Sequence, residues 1–166
     1  METYEIIYTG KDDIPEELGY FSNIIQKLLH IRGINTAQDA EAFLNPSYEN
    51  EMHDPYLMKD MEKAVSRILE AVKDNEKVVI FSDYDTDGIP GAVILHDFFK
   101  KIGFENFINY IPHRNKEGFG LNTGAIEGFI DKNVSLIITI DCGISNVEEI
   151  ALANSGGIDV IITDHH

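Results

Sequence analysis

The sequence is poor in cysteine, in long apolar runs and in basic residues. Its 166 residues include one cysteine, Cys142, so neither an internal disulfide nor a zinc site built from several thiolates can form within the chain. No stretch is apolar enough to cross a bilayer, and the first residues, METYEIIYTGKDD, lack the basic and then apolar layout of a signal peptide. These absences predict a soluble, cytoplasmic protein that does not bind membranes.

The shortage of positive charge bears directly on nucleic-acid binding. Lysine and arginine number 13 against 29 acidic residues, which gives a net charge of −16. A strongly anionic surface repels phosphate backbones. Acidic residues that bind metal ions are neutralised, however, and a basic surface can lie in a part of the protein outside this chain. The negative net charge therefore argues against a nuclease but does not exclude one.

The first half of the sequence has the periodicity of helices. Apolar residues recur at helical spacing in residues 23–31, and Thr36 is a candidate N-cap for a second helix at residues 36–44. In residues 57–72 the apolar positions recur every three or four residues, as in an amphipathic helix that packs on a sheet. We expect residues 1–76 to form a helical N-terminal segment that packs on the domain that follows.

From residue 77 the pattern changes to alternating strands and helices. Four β-rich runs are separated by three helical segments, which predicts βαβ units and a parallel sheet. The strands are expected at residues 78–82, 107–111, 136–140 and 160–163, and the helices at residues 89–102, 123–131 and 146–154. The predicted fold class is α/β, with a doubly wound, mainly parallel sheet in residues 77–166.

Acidic residues follow three of the four predicted strands. Asp83, Asp85 and Asp87 follow the first, Asp141 follows the third, and Asp164 with two histidines follows the fourth. The carboxyl ends of parallel strands meet at one edge of a sheet, where ligands bind. One aspartate after a strand is usually a turn former or a helix cap, whereas acids after three strands predict a metal or phosphate site.

The mixture of carboxylates and imidazoles indicates which metal this site prefers. Oxygen ligands suit Mg²⁺ and Mn²⁺, the histidines favour Mn²⁺, and two such ions are the usual device for displacement at phosphorus. Asp141, the single acid at its strand end, is the candidate bridging ligand. His165 and His166 are expected to diverge, as successive residues of an extended backbone do. One is then a ligand and the other faces the substrate phosphate.

The loop after the second predicted strand supplies positive charge. His113, Arg114 and Lys116 lie in this loop and are expected at the same edge of the sheet as the acids. Arg114 is the best candidate for a phosphate contact, because a guanidinium group binds phosphate oxygens with two hydrogen bonds.

Several segments together resemble the DHH phosphoesterase superfamily. They are SDYDTDG at residues 82–88, IPHR at 111–114, EGFGLN at 117–122, IDCGIS at 140–145 and TDHH at 163–166. With LLHIRGI at residues 28–34 and EAFLNP at 41–46, they narrow the resemblance to the N-terminal part of bacterial RecJ-type exonucleases, which are specific for single strands. The similarity extends from about residue 24 to the end of the chain.

The resemblance implies a hydrolase that digests single-stranded DNA from the 5′ end to mononucleotides, with two Mn²⁺ or Mg²⁺ ions in the complete site. The implied metal ligands are Asp85, Asp87, Asp141 and His165. Asp83, Asp164 and His166 are implied to support catalysis, and His113, Arg114 and His166 to bind substrate phosphate. Single-strand binding protein or a helicase are partners that such an enzyme suggests.

The chain departs from the family pattern in two residues and in length. Ser82 stands where a glycine is usual, and Pro90 where a small hydroxyl residue is common, so the detail of the first loop is put in question. The family's site also uses a further aspartate beyond the DHH triplet and a second domain. We therefore expect the DHH core to be truncated on its C-terminal side and this 166-residue chain to have little or no activity.

Two other functions remain open from the sequence. Related DHH phosphodiesterases act on short oligonucleotides or cyclic dinucleotides, and the acidic composition suits such small substrates. Other proteins with this fold have lost catalysis and serve as binding modules. Loss of the acids marks such modules, whereas Asp85, Asp87, Asp141, His165 and His166 are all present here.

Overall fold

The computed structural model of the chain describes residues 14–166. The described part of the chain forms two compact units, which divide between Leu57 and Met58. The division predicted from the sequence, into residues 1–76 and 77–166, stays a prediction.

The first unit is helical. It contains α1 (Asn23–Ile31), α2 (Ala37–Leu44) and α3 (Tyr48–Glu51), with short 3-10 helices at Glu16–Leu18 and Pro55–Leu57. Leu18, Leu29 and Ala40 form its core. The predicted cap of α2 is confirmed, because the Thr36 hydroxyl accepts the backbone N–H of Asp39 at 3.1 Å.

The second unit alternates strands and helices. Its elements are α4 (Met61–Lys73), β1 (Val78–Ser82), α5 (Gly88–Lys101), β2 (Phe107–Tyr110), α6 (Thr123–Asp131), β3 (Leu136–Ile140), α7 (Val147–Ser155) and β4 (Asp159–Thr163). No helix within residues 14–166 is long and apolar enough to cross a membrane.

The four strands form one parallel sheet in the order β2-β1-β3-β4. Ser82 pairs with Ile140, and Ile140 pairs with Thr163, so β1, β3 and β4 end in one row. The residue after each of these ends is an aspartate. The sheet therefore brings together loops that are about eighty residues apart in the sequence.

Helices cover both faces of the sheet. On one face Val79, Phe81 and Ile137 pack with residues of α6 and α7, and on the other Val78 and Ile80 pack with residues of α4 and α5. All five residues of β1 are buried, as is typical of a central strand covered on both sides. The predicted α/β class, with a doubly wound parallel sheet after a helical segment, is confirmed.

Arg67 ties α4 to the rest of the second unit. Its Nη2 donates to Glu76 and its Nε donates to Asp159, each at 2.6 Å, and only 19% of its side chain is exposed.

We expect Arg67→Ala to lower the free energy of unfolding by about 1–2 kcal/mol, because two carboxylates lose a charged donor. Lys63→Ala, one turn earlier at an exposed position, should change it by less than about 0.5 kcal/mol. Urea unfolding followed by circular dichroism measures both, and equal effects would contradict the role of Arg67.

Candidate metal centre

The loop after β1 carries one buried and one exposed carboxylate. Asp83 is 4% exposed, and its buried Oδ1 has no hydrogen-bond partner among residues 14–166. Asp85 is exposed, and its Oδ1 accepts the backbone N–H groups of Asp87 and Gly88, each at 3.0 Å. The bonds from Gly88 and Asp87 lower the pKa of Asp85. An unpaired buried carboxylate oxygen is costly unless a cation or another donor satisfies it.

Asp141 lies directly after β3 in a left-handed backbone conformation. Its φ is +60°, and its backbone N–H donates to the carbonyl of Thr163 at 2.8 Å, which extends the pairing with β4 by one residue. The side chain is 8% exposed, and its Oδ1 lies 3.0 Å from Nε2 of His165. The sheet edge thus holds this carboxylate between the first and the last loops.

Asp164 orients the end of the chain. Its side chain is 2% exposed and accepts the N–H of Ile144 at 2.9 Å, the N–H of His166 at 3.1 Å and Nδ1 of His166 at 2.7 Å. Burial acts to raise the pKa of Asp164, but the hydrogen bonds from Ile144 and His166 outweigh it and lower the pKa. The bond to Asp164 raises the pKa of His166. This buried carboxylate therefore fixes the ring of His166.

The prediction that the two histidine side chains diverge is wrong. The rings of His165 and His166 are stacked, with centroids 4.7 Å apart, and a nitrogen of each lies within 4.8 Å of a carboxylate oxygen of Asp141. The reason is that β4 ends at Thr163, so the alternation of an extended strand does not extend to these residues. Both imidazoles therefore face the same cluster.

The cluster consists of two sets of possible ligands that share Asp141. One set is Asp83, Asp85 and Asp141, the other is Asp141, His165 and His166, and within each set the ligand atoms lie within 4.8 Å of one another. Carboxylate oxygens suit Mg²⁺ and Mn²⁺, and the imidazole nitrogens favour Mn²⁺ over Mg²⁺. The unpaired Oδ1 of Asp83 is also satisfied if a cation is bound. The residues present therefore fit divalent metal ions.

Arg114 lies at the same edge. Its guanidinium group stands over the ring of Tyr84, 5.0 Å from the ring centroid, and Tyr84 separates Asp83 from Asp85 in the sequence. A positive group that is exposed beside the acidic cluster can bind an anion that also contacts the metal ions.

Four predicted site residues lie outside the two sets of ligands: Arg114 and Asp164, described above, and Asp87 and His113. The carboxylate of Asp87 is in neither set, and the residue is exposed at the start of α5. His113 is exposed, and its Nδ1 accepts the N–H of Asn115 at 3.3 Å within its own loop. The roles of all four remain predictions.

Reasoning from the sequence assigned no role to Tyr84, Glu117 or Phe119. The Phe119 ring meets the His166 ring edge to face at 5.6 Å, and Glu117 accepts three hydrogen bonds in the loop before α6. The sequence feature that could have indicated a role for Glu117 and Phe119 is the segment EGFGLN. In it an acid precedes two glycines, Gly118 and Gly120, which both have positive φ in the structure.

Comparison with known proteins places the chain in a family. Residues 77–166 match the family model described as "DHH family, N-terminal domain". The single-stranded-DNA-specific exonuclease RecJ of Bacillus subtilis (strain 168) is 41% identical over 148 residues, which cover 89% of this chain and 18% of that protein. The predicted resemblance to RecJ-type exonucleases is thus confirmed.

Solved structures agree with the sequence relatives. A crystal structure of exonuclease RecJ bound to manganese has a TM-score of 0.61 and 32% identity, over 66% of this chain and 28% of that chain. RecJ from Thermus thermophilus in complex with Mn²⁺ has a TM-score of 0.59 and 25% identity, over 86% of this chain and 19% of that chain. This chain therefore spans less than a third of the length of these relatives. Because the family model matches more than half of its residues, the chain belongs to the DHH family.

Proposed function

We propose that this chain is the metal-binding part of a RecJ-type exonuclease, which hydrolyses single-stranded DNA from the 5′ end to mononucleotides. The observation that carries the proposal is the pair of ligand sets that share Asp141 at one edge of the sheet. The names of the relatives support a single-stranded DNA substrate, and their manganese-bound structures support a divalent metal.

The proposed ligands of two Mn²⁺ or Mg²⁺ ions are Asp85, Asp87, Asp141 and His165, with Asp141 as the bridge. Asp83 supports this group as a buried acid whose Oδ1 faces no donor within the described chain. When bound, the ions supply Lewis acidity at the phosphoryl group and lower the pKa of water. Asp87 reaches an ion only if its side chain moves from its present place outside both sets.

The other residues bind and orient the substrate. Arg114 and His113 contact a phosphate in this proposal, and the contact of the Arg114 guanidinium group with the ring of Tyr84, between Asp83 and Asp85, supports the role of Arg114. Asp164 holds Nδ1 of His166, which leaves Nε2 of that ring for the phosphate or an ion.

The test is binding and digestion of a 5′-phosphorylated single strand by the purified chain with Mn²⁺. We expect Mn²⁺-dependent binding that Arg114→Ala weakens, and only slow release of mononucleotides, because the chain spans only 18% of the length of the Bacillus subtilis relative. Rapid release would contradict the expected inactivity of the chain. Absence of Mn²⁺-dependent binding would contradict the exonuclease proposal and favour a non-catalytic module.

One observation favours the second candidate function. The net charge of −16 suits a small substrate better than a long polyanion. In the same assay, hydrolysis of cyclic dinucleotides or dinucleotides in preference to longer single strands would favour a DHH phosphodiesterase of that kind.

For the exonuclease, we propose single-strand binding protein or a helicase as partners.

A further inference from the structure

Glu117 joins three parts of the loop between β2 and α6. Its Oε1 accepts the phenolic O–H of Tyr110, the last residue of β2, and the amide of Asn122 at 3.4 Å. Its Oε2 accepts the backbone N–H of His113 at 2.7 Å. One carboxylate therefore connects the end of a strand, the start of the loop and the N-cap of a helix.

The donor on β2, Tyr110, is partly buried and packs against the core. The Tyr110 ring stacks on Phe81 with centroids 5.2 Å apart and meets Phe129 edge to face, also at 5.2 Å. Burial and then the bond to Glu117 raise the pKa of Tyr110 to about 12, and the same bond is the largest cause that lowers the pKa of Glu117. Near neutral pH a protonated phenol thus donates to an ionised carboxylate, which is a strong hydrogen bond.

The loop closes in a tight turn above this anchor. The N–H groups of Lys116 and Glu117 both donate to the carbonyl of His113 at 2.9 Å, so residues 113–117 form one turn. Arg114 is exposed on this turn and reaches the ring of Tyr84. Since the N–H of His113 is held by Oε2 of Glu117, the carboxylate fixes the base of the turn that carries the guanidinium group.

The second half of the loop has a different anchor. Asn146 accepts the N–H of Leu121 at 3.1 Å and donates to the carbonyl of Leu121 at 3.2 Å, which ties residues near 121 to the loop after β3. Loss of Glu117 should therefore loosen residues 113–117 and leave the contact at Leu121 in place.

We propose that Glu117 is a positioning residue, whose carboxylate holds the turn at residues 113–117 so that Arg114 stays beside the acidic cluster and binds the substrate phosphate. The phosphate part of this inference rests on the proposed function. The structural part, that Glu117 holds the turn, stands on the hydrogen bonds alone.

Amide hydrogen exchange of the 166-residue chain tests the structural part. In Glu117→Ala the amide of His113 should exchange at least about tenfold faster, because it loses a charged acceptor. Glu117→Gln retains an acceptor oxygen and should restore most of the protection. Glu127→Ala removes an exposed glutamate from α6 and should leave His113 unchanged. Unchanged exchange at His113 in Glu117→Ala would overturn the proposal.

A double-mutant cycle with a short 5′-phosphorylated oligothymidylate and Mg²⁺ tests the positioning of Arg114. Glu117→Ala should raise Kd about tenfold in the natural chain and have no further effect once Arg114→Ala is present. An equal loss in both backgrounds would overturn the coupling to Arg114. If the natural chain binds no oligonucleotide, the proposed function fails, while exchange at His113 still decides whether Glu117 holds the turn.

Discussion

Replacing Asp141 with asparagine is expected to weaken Mn²⁺ binding by about a hundredfold or more. Both sets of possible ligands contain Asp141, so the substitution removes a charged ligand from each. Even residues that only support a metal ligand typically change affinity by about 10–100-fold, and a shared ligand should exceed that range. Titration with Mn²⁺, with the free ion followed by electron paramagnetic resonance, measures the effect.

Asparagine isolates the loss of charge from any change in the backbone. Asp141 has φ +60°, a left-handed conformation that asparagine adopts readily and alanine does not. The backbone N–H that donates to Thr163 is unaffected by the substitution. Without metal, the variant should be at least as stable as the natural chain, because one of three clustered carboxylates has become neutral.

Asp60→Asn is the matched control. Asp60 also has a left-handed backbone, with φ +58°, but is exposed before α4 and belongs to neither set of ligands. The Mn²⁺ affinity of Asp60→Asn should equal that of the natural chain, and Mn²⁺ should raise the unfolding temperature of both of these proteins. The assignment of Asp141 would be refuted if Asp141→Asn bound Mn²⁺ as tightly as the natural chain does. It would also be refuted if Asp60→Asn lost as much Mn²⁺ affinity as Asp141→Asn.

The longer helices and strands could be predicted from the sequence. The bounds of β1, β3, α1 and α6 agree with the predicted residues, because buried strands and amphipathic helices leave a clear apolar period. The helix predicted from residue 57 begins instead at Met61, after a 3-10 helix at Pro55–Leu57 and the left-handed Asp60. These short helices, like α3 and the 3-10 helix at Glu16–Leu18, have only three or four residues each. That is too few for apolar residues to recur at helical spacing, so the sequence does not reveal them.

The location of the candidate site could also be predicted from the sequence, but its details could not. Parallel strands place Asp83, Asp141 and Asp164 at one edge, and the register confirms this. The stacking of the two histidines depends on where β4 ends, and the bond between Glu117 and Tyr110 depends on how a loop closes. Neither is encoded in a local pattern, since both arise from backbone conformation outside regular structure.

Gly88→Ala is the second substitution with a large expected effect, a decrease in the free energy of unfolding of about 2–3 kcal/mol. A Cβ at Gly88 would lie 2.7 Å from the backbone oxygen of Asp83 and 2.9 Å from its carbonyl carbon. The contact is with backbone, so it is relieved only if α5 and the first acidic loop move apart, and forced shifts of this kind cost about 1–3 kcal/mol. The movement should also break the bond from the Gly88 N–H to Asp85 and weaken Mn²⁺ binding.

Gly128→Ala provides a control of opposite sign. Gly128 lies inside α6, and a Cβ there meets nothing within 4 Å. Alanine should therefore stabilise the helix by roughly 0.5–1 kcal/mol and leave Mn²⁺ affinity unchanged. Urea unfolding of both variants decides between a steric effect at the acidic loop and a general response to alanine. If Gly88→Ala is as stable as Gly128→Ala, the close approach of α5 to Asp83 does not constrain the site, and the first loop can take a glycine or an alanine equally well.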